Sequence, residues 1–149
     1  MKKKTQTLRV SAYGLIIEKE NILLCRLSPI VEKYAGKWTL VGGGLDFGED
    51  PKRAVVREVR EETGLNAITG DLLDVDATVI EFSDKEVHAI RIIYKATVEP
   101  GKIVVEKNGY TDDVRWFSKQ ELKELLAANE IQLVSLAYKG LELWEAGYV

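Results

Sequence analysis

The stretch GGGLDFGEDPKRAVVREVREETGL, Gly42 to Leu65, joins a cluster of glycines to a short segment crowded with carboxylates. Asp50 is a good N-cap, and Pro51 takes the first helical position, where its missing N–H costs nothing. Gly64 is the expected stop just past the last helical residue. The spacing therefore predicts a helix from Asp50 to Thr63. At about 100° per residue, with Glu58 set at zero, Glu61 falls near about −60° and Glu62 near about +40°. The three glutamates share one arc as i, i+3 and i, i+4 neighbours. Val55, Val56, Val59 and Thr63 occupy the next arc, which suits packing on a sheet. Glu61 and Glu62, in the last turn, oppose the helix dipole by about 0.3–1 kcal/mol each.

A local rule broken in this way calls for compensation elsewhere. Arg57 and Arg60 offer one form of it, a solvated face laced with ion pairs. A divalent cation offers another. Magnesium takes one or two carboxylates together with waters and substrate phosphates. Gly42, Gly43, Gly44 and Gly48 favour the second reading, because bare backbone lets a ligand come close. Glu49 adds an acid between those glycines and the helix.

Outward from this stretch the pattern alternates between strands and helices. Leu8–Glu18 and Ile22–Leu27 are β-branched and apolar, separated by KEN, and predict a hairpin. Ser28–Trp38 is loop-like, and WTLV is a short extended piece running into the glycines. AITGDLLDVDATVIEF and VHAIRIIYKATV are long strands joined by SDKE, and GKIVVE and VRWF are shorter ones. Ser118 and Glu121 form a capping box opening the helix KQELKELLAA. EIQLVSLAYKGLELWEAG is apolar at helical spacing, through Ile131, Leu133 or Val134, Leu136 or Ala137, and Leu141, and predicts a last helix. Strands, one middle helix, more strands and then helices indicate an α+β class with helices layered on a sheet.

The chain has 149 residues and a net charge of −3, so it suits one domain spanning 1–149. It exerts no global pull on nucleic acid or an anionic membrane. The start MKKKTQTLRV is basic without a following apolar run, which reads as a solvated end (Lys2 to Lys4) rather than a signal peptide. No apolar run approaches the roughly 20 residues of a membrane span. A single cysteine, Cys25, excludes an internal disulfide, reads as a buried structural thiol and suits a reducing cytoplasm.

Gly43, five residues, Glu49, seven residues and then REVREETGL resemble the Nudix box in every fixed position. Gly43, Glu49, Arg57, Glu58, Val59, Glu61, Glu62, Gly64 and Leu65 fill its slots. WTLVGGG before it and VRWFS followed by a helix are also similar to that family. One departure is Val41, where the family often has proline.

The resemblance implies a Nudix fold, a mixed sheet sandwiched between helices, and metal-dependent hydrolysis of a nucleoside diphosphate linked to another moiety. It implies that Glu58, Glu61 and Glu62 bind magnesium or manganese. It further implies that Arg57 holds the box carboxylates and that Glu49, with Gly43 and Gly44, shapes the loop that meets the substrate. Glu58 and Glu61 are the box candidates for general base; Asp112 and Asp113 are candidates outside it.

His88 lies in a strand pattern with no partner motif and reads as a structural or pocket-edge residue rather than a catalytic base. Trp38, Trp116 and Trp144 read as packing residues. Tyr13, Tyr34 and Phe82 are candidates for stacking on a nucleobase. Arg26 and Arg91 meet phosphate, meet carboxylate, or lie on a sheet face. The marker proline or tyrosine of some subgroups is missing from Asn66 to Ile93, which leaves nucleoside triphosphates, ADP-ribose-like compounds and nucleotide sugars open. A non-catalytic nucleotide-binding module is the rival class, but an intact box and the lack of room for a DNA-binding domain speak against it. A homodimer stays open.

Overall fold

The computed structural model describes residues 3–149. Lys2, part of the expected basic end, lies outside the described residues. Six strands form one mixed sheet: β1 (Thr5–Glu18), β2 (Asn21–Leu27), β3 (Trp38–Gly44), β4 (Ala67–Glu81), β5 (Lys85–Val98) and β6 (Thr111–Ser118). Their order across the sheet is β4-β5-β1-β3-β2-β6. Among these six strands β1 and β5 pair in parallel and the other pairings are antiparallel. The predicted hairpin is present, with Ile17 opposite Ile22.

Among the described residues three α-helices cover the sheet: α1 (Pro51–Thr63), α2 (Lys119–Ala127) and α3 (Ser135–Glu145). The two-residue period of the strands sorts their side chains into two cores. Ala12, Ile16, Leu23, Cys25 and Val41 meet Ala54, Val55 and Val59 of α1 on one face. Leu15, Ile22, Leu24, Trp38 and Leu40 meet Leu122, Leu136, Ala137 and Trp144 on the other, under α2 and α3. Trp38 meets Phe117 edge to face at 5.0 Å between ring centres. Trp116 is half-buried against the α1 core, so all three tryptophans pack as expected.

Local chemistry sets the helix ends. The Asp50 side chain accepts from Lys52 N, and Gly64 closes α1 with φ of 75°, a left-handed conformation suited to glycine. Ser118 Oγ accepts from Glu121 N at 3.0 Å, one half of the expected box. Glu121 turns its own carboxylate to Arg115 instead.

Four expectations need correction. GKIVVE is not a strand but part of an irregular run from 99 to 110. Ile103 and Val105 pack on the α1 core, but the backbone bond there, Val104 N to Thr63 O, goes to the end of a helix rather than to a strand. The last helix begins at Ser135, not near Glu130, because the segment before it pairs with β3: Trp38 N donates to Gln132 O and Val134 N to Trp38 O. Val56 is exposed rather than packed on the sheet. Gly42, Gly43 and Gly44 are the end of β3, paired with Tyr13, Ala12 and Ser11, and the loop begins only at Leu45.

Candidate active site

The glycines and the carboxylates meet where β3 ends beneath α1. Strand alternation sends consecutive glycines to opposite faces. Gly43 faces α1, and a β-carbon there would stand 2.8 Å from Glu58 Oε1. Gly44 faces the other way, and a β-carbon there would stand 2.9 Å from Arg9 Nε. Gly42 has φ of 153°, and a β-carbon on it would run into the Ala12 carbonyl oxygen.

Arg57 is the hub of the acidic side. Its Nε and Nη2 donate to Glu49 Oε2 and Oε1, both at 2.8 Å. Nη2 also donates to Gly44 O at 3.0 Å. Nη1 donates to Glu58 Oε1 at 3.0 Å and to Glu61 Oε2 at 3.2 Å. Glu49 Oε1 also accepts from Asp46 N, so one ion pair fixes both ends of the loop between β3 and α1. These bonds hold the Glu49 carboxyl down at about 2, well below the ordinary carboxylate range.

The three helix glutamates occupy different environments. The Glu61 side chain is 53% exposed, while that of Glu58 is 16% exposed. Glu62 is buried at 5%. Glu62 Oε1 accepts from Gly42 N at 2.9 Å, and Cys25 Sγ lies 3.6 Å from Oε2. Burial, then the charge of Glu58, pushes the Glu62 carboxyl well up. Burial also raises Glu58, opposed by the hydrogen bond from Arg57. Cys25 is fully buried, and its thiol is pushed up by burial and by Glu62, which fits a structural thiol.

A fourth carboxylate joins them from the irregular run. Glu106 is raised by burial and then by the negative charge of Glu61. Its charge also acts on Glu62 and Cys25. Asn108, with φ of 57°, and Gly109, where a β-carbon would collide with the Glu106 carboxylate, turn the chain so that this acid folds back. Sequence reading passed over Glu106; its only signal was the Asn-Gly turn two residues on.

Asp112 and Asp113 lie on β6. Asp112 Oδ1 accepts from Arg26 Nε at 2.7 Å, and Asp113 Oδ1 accepts from Val114 N. Arg26 therefore meets carboxylate. So does Arg91, which grips Asp76 through Nε and Nη2 at 2.8 and 2.9 Å and donates to Ser135 Oγ. Tyr34 and Phe82 meet each other edge to face at 6.4 Å, while Tyr13 lies opposite Gly42. His88 is exposed beside Leu8 and Val79 in a surface hollow of about 370 Å³.

The acidic side carries carboxylate oxygens of the type that hard divalent cations take as ligands. Among the described residues no three acidic, histidine or cysteine side chains close into a ready cage. Magnesium does not require one, since it keeps waters and shares its coordination with substrate phosphate. Glu58 and Glu61 flank a single point, which the Arg57 Nη1 group occupies here. Burial first, and neighbouring carboxylates second, raise the carboxyls of Glu62 and Glu106, while Arg57 offsets part of the rise at Glu58.

Comparison with known proteins agrees with this architecture. The NUDIX domain model matches residues 7–137. The nucleoside triphosphatase NudI of Salmonella schwarzengrund is 32% identical over 126 residues, which is 80% of this chain and 87% of that protein. A MutT NUDIX hydrolase from Burkholderia pseudomallei superposes with a TM-score of 0.72 at 28% identity, over 91% of this chain and 96% of that one. A NUDIX hydrolase from Nitrosomonas europaea gives 0.75 at 22% identity, over 93% and 89%, a likeness of fold. The chain belongs to the Nudix family and is a Nudix pyrophosphohydrolase with an α+β Nudix fold. Members of this family generally use divalent metals. Among the described residues no helix is long and apolar enough to cross a membrane.

Proposed function

We propose that this chain, as a single cytoplasmic domain, hydrolyses the P–O–P bridge of a nucleoside diphosphate linked to another moiety, with nucleoside triphosphates the first class to test. Support for the substrate class comes from the relatives named nucleoside triphosphatase. The single observation that carries the chemistry is the pair Glu58 and Glu61 held on one Arg57 nitrogen beside the bare backbone of Gly43.

In this reading Glu58, Glu61 and Glu62 hold Mg²⁺ or Mn²⁺. When bound, the cation neutralises phosphate oxygens and makes water a better nucleophile. Gly43 and Gly44 let the phosphates lie against the strand end, and Glu49 fixes the loop through Arg57. Arg57 orients Glu58 and Glu61 by the two bonds from Nη1. A carboxylate receives the proton of the attacking water as its oxygen bonds to phosphorus and the bridging P–O bond breaks. Glu58 and Glu61 remain candidates for that role. Glu106 joins them, because its raised carboxyl suits proton transfer nearer neutrality and it comes from outside the helix. Asp112 is already committed to Arg26.

The test is release of phosphate or pyrophosphate from nucleoside triphosphates, ADP-ribose, dinucleoside polyphosphates and nucleotide sugars, with Mg²⁺ and with Mn²⁺. Metal-dependent turnover of one class, lost in Glu61→Gln, is expected. Tight binding without turnover of any member would overturn the reading in favour of a non-catalytic module.

A further inference from the structure

Two guanidinium groups lie against the glycine end of β3, and only one of them is already occupied. Arg57 spends its donors on Glu49, Gly44 O, Glu58 and Glu61. Arg9 is exposed, on β1, and among the described residues it has no side-chain hydrogen bond or ion pair. It nonetheless lies over Gly44, where an added β-carbon would meet Nε at 2.9 Å and Nη2 at 3.2 Å. We infer that Arg9 binds a substrate phosphate, from the face of the strand opposite Glu58. This rests on the proposed phosphoanhydride hydrolysis and adds a residue that the box does not contain.

The argument is one of geometry and charge. Ser11 pairs with Gly44 and Ala12 with Gly43, so Arg9, two residues before Ser11, shares the face of Gly44 while Glu58 stands against Gly43. The strand end is bare backbone on both sides, with carboxylates on one and a guanidinium on the other. A triphosphate carries more negative charge than one or two divalent cations offset once carboxylate ligands have taken up part of the cations' charge. A planar guanidinium with its fork of donors unused is suited to the phosphate oxygens that remain.

An ordinary solvated arginine is the competing account, and Gly44 separates the two. Gly44 does not have a left-handed φ, so alanine fits its backbone, and the nearest atoms a β-carbon meets all belong to Arg9. A solvated arginine would move aside without functional effect.

The experiment measures steady-state kinetics on the best nucleotide found, with binding of a non-hydrolysable nucleoside triphosphate analogue by calorimetry in Mg²⁺. The variants are Arg9→Ala, Arg9→Lys, Gly44→Ala and the double variant Arg9→Ala with Gly44→Ala. Arg9→Ala is expected to raise KM and the analogue Kd by about 10- to 100-fold, the range for a hydrogen bond between charged groups. The effect on kcat should be much smaller, the signature of binding shared by ground and transition states. Arg9→Lys should recover part of the loss. Gly44→Ala should weaken binding in the same direction, and the double variant should be no worse than Arg9→Ala. Unchanged KM and Kd in Arg9→Ala, or full additivity in the double variant, would overturn the inference while leaving the hydrolase reading intact. Failure of the natural protein to turn over any substrate would overturn the hydrolase reading instead, and analogue binding would still decide the role of Arg9.

Discussion

Arg57 grips Glu49 with two parallel hydrogen bonds of 2.8 Å, one from Nε and one from Nη2, and so ties the end of the loop to the middle of α1. The same guanidinium reaches Gly44 O and two helix glutamates. A lysine carries the same charge on one nitrogen and cannot make this fork. Arg57→Lys is therefore expected to lose about 1.5–3 kcal/mol of stability, the range for hydrogen bonds to charged groups. Turnover should fall by at least tenfold, because Glu58 and Glu61 lose their orienting donor. Urea unfolding and kcat on the same preparations check both; a Lys variant with full activity would remove Arg57 from the proposed machinery.

The pH dependence of that pair has a definite sign. Glu49 titrates at about 2 when folded and near about 4.3 when unfolded. Its stabilising contribution is complete above the unfolded value and is lost as pH falls from about 4.3 toward about 2, where the unfolded chain takes up the proton first. Glu49→Gln should be less stable than the natural chain at pH 6, and the gap should narrow as the solution is taken to pH 3. Thermal melts at the two pH values give the answer directly; a gap that widens on acidification contradicts the assignment.

Glu62 gives the opposite sign. Burial raises its carboxyl, so the folded chain holds that proton more tightly than the unfolded one. Its cost to stability is then small at low pH and grows as pH rises from the unfolded value toward the folded one. Glu62→Gln removes the buried charge and retains an oxygen to accept from Gly42 N. In EDTA at pH 8 the variant should melt above the natural chain by about 2–4 °C, equivalent to about 1 kcal/mol for a chain of this size. Added Mg²⁺ should narrow or reverse the difference, since the natural chain gains the cation and the variant does not. A lower melting temperature in EDTA would mean that Glu62 is satisfied by the protein alone.

The helix, its caps, the hairpin and the clustering of Glu58, Glu61 and Glu62 were legible in the sequence because each follows from local periodicity and end chemistry. The inward turn of Glu62 was also legible, though not drawn. On the wheel it lies at about +40°, between Ala54 near about −40° and Val59 near about +100°, which puts it in the middle of the buried arc. Both Ala54 and Val59 are fully buried. The end of the chain was less readable. Ile131 and Leu133 keep helical spacing with the residues after them, yet the backbone bonds between Trp38 and residues 132 and 134 take that segment away from the helix. Ile103 and Val105 alternate like a strand but find no strand to pair with. Tertiary partners decide both cases, and neither local propensity nor apolar spacing contains them.

Glu106 tests how far the site extends beyond the box. It enters on an irregular segment, is raised by burial and by Glu61, and has room because Gly109 has no side chain. Asp112, six residues later, is held by Arg26 at 2.7 Å. If Glu106 accepts the proton of the attacking water, Glu106→Gln lowers kcat by about 10²–10⁴-fold, the usual contribution of a general base. KM should change little, since the amide preserves shape. Asp112→Asn should leave kcat within a few-fold and act on stability instead. The kcat profile of the natural enzyme should fall on acidification through the raised carboxyl of Glu106, and that limb should disappear from whatever activity Glu106→Gln retains. A full-rate Glu106→Gln enzyme with an unaltered profile would return the role to Glu58 or Glu61, with Glu106 left to balance charge beside the helix.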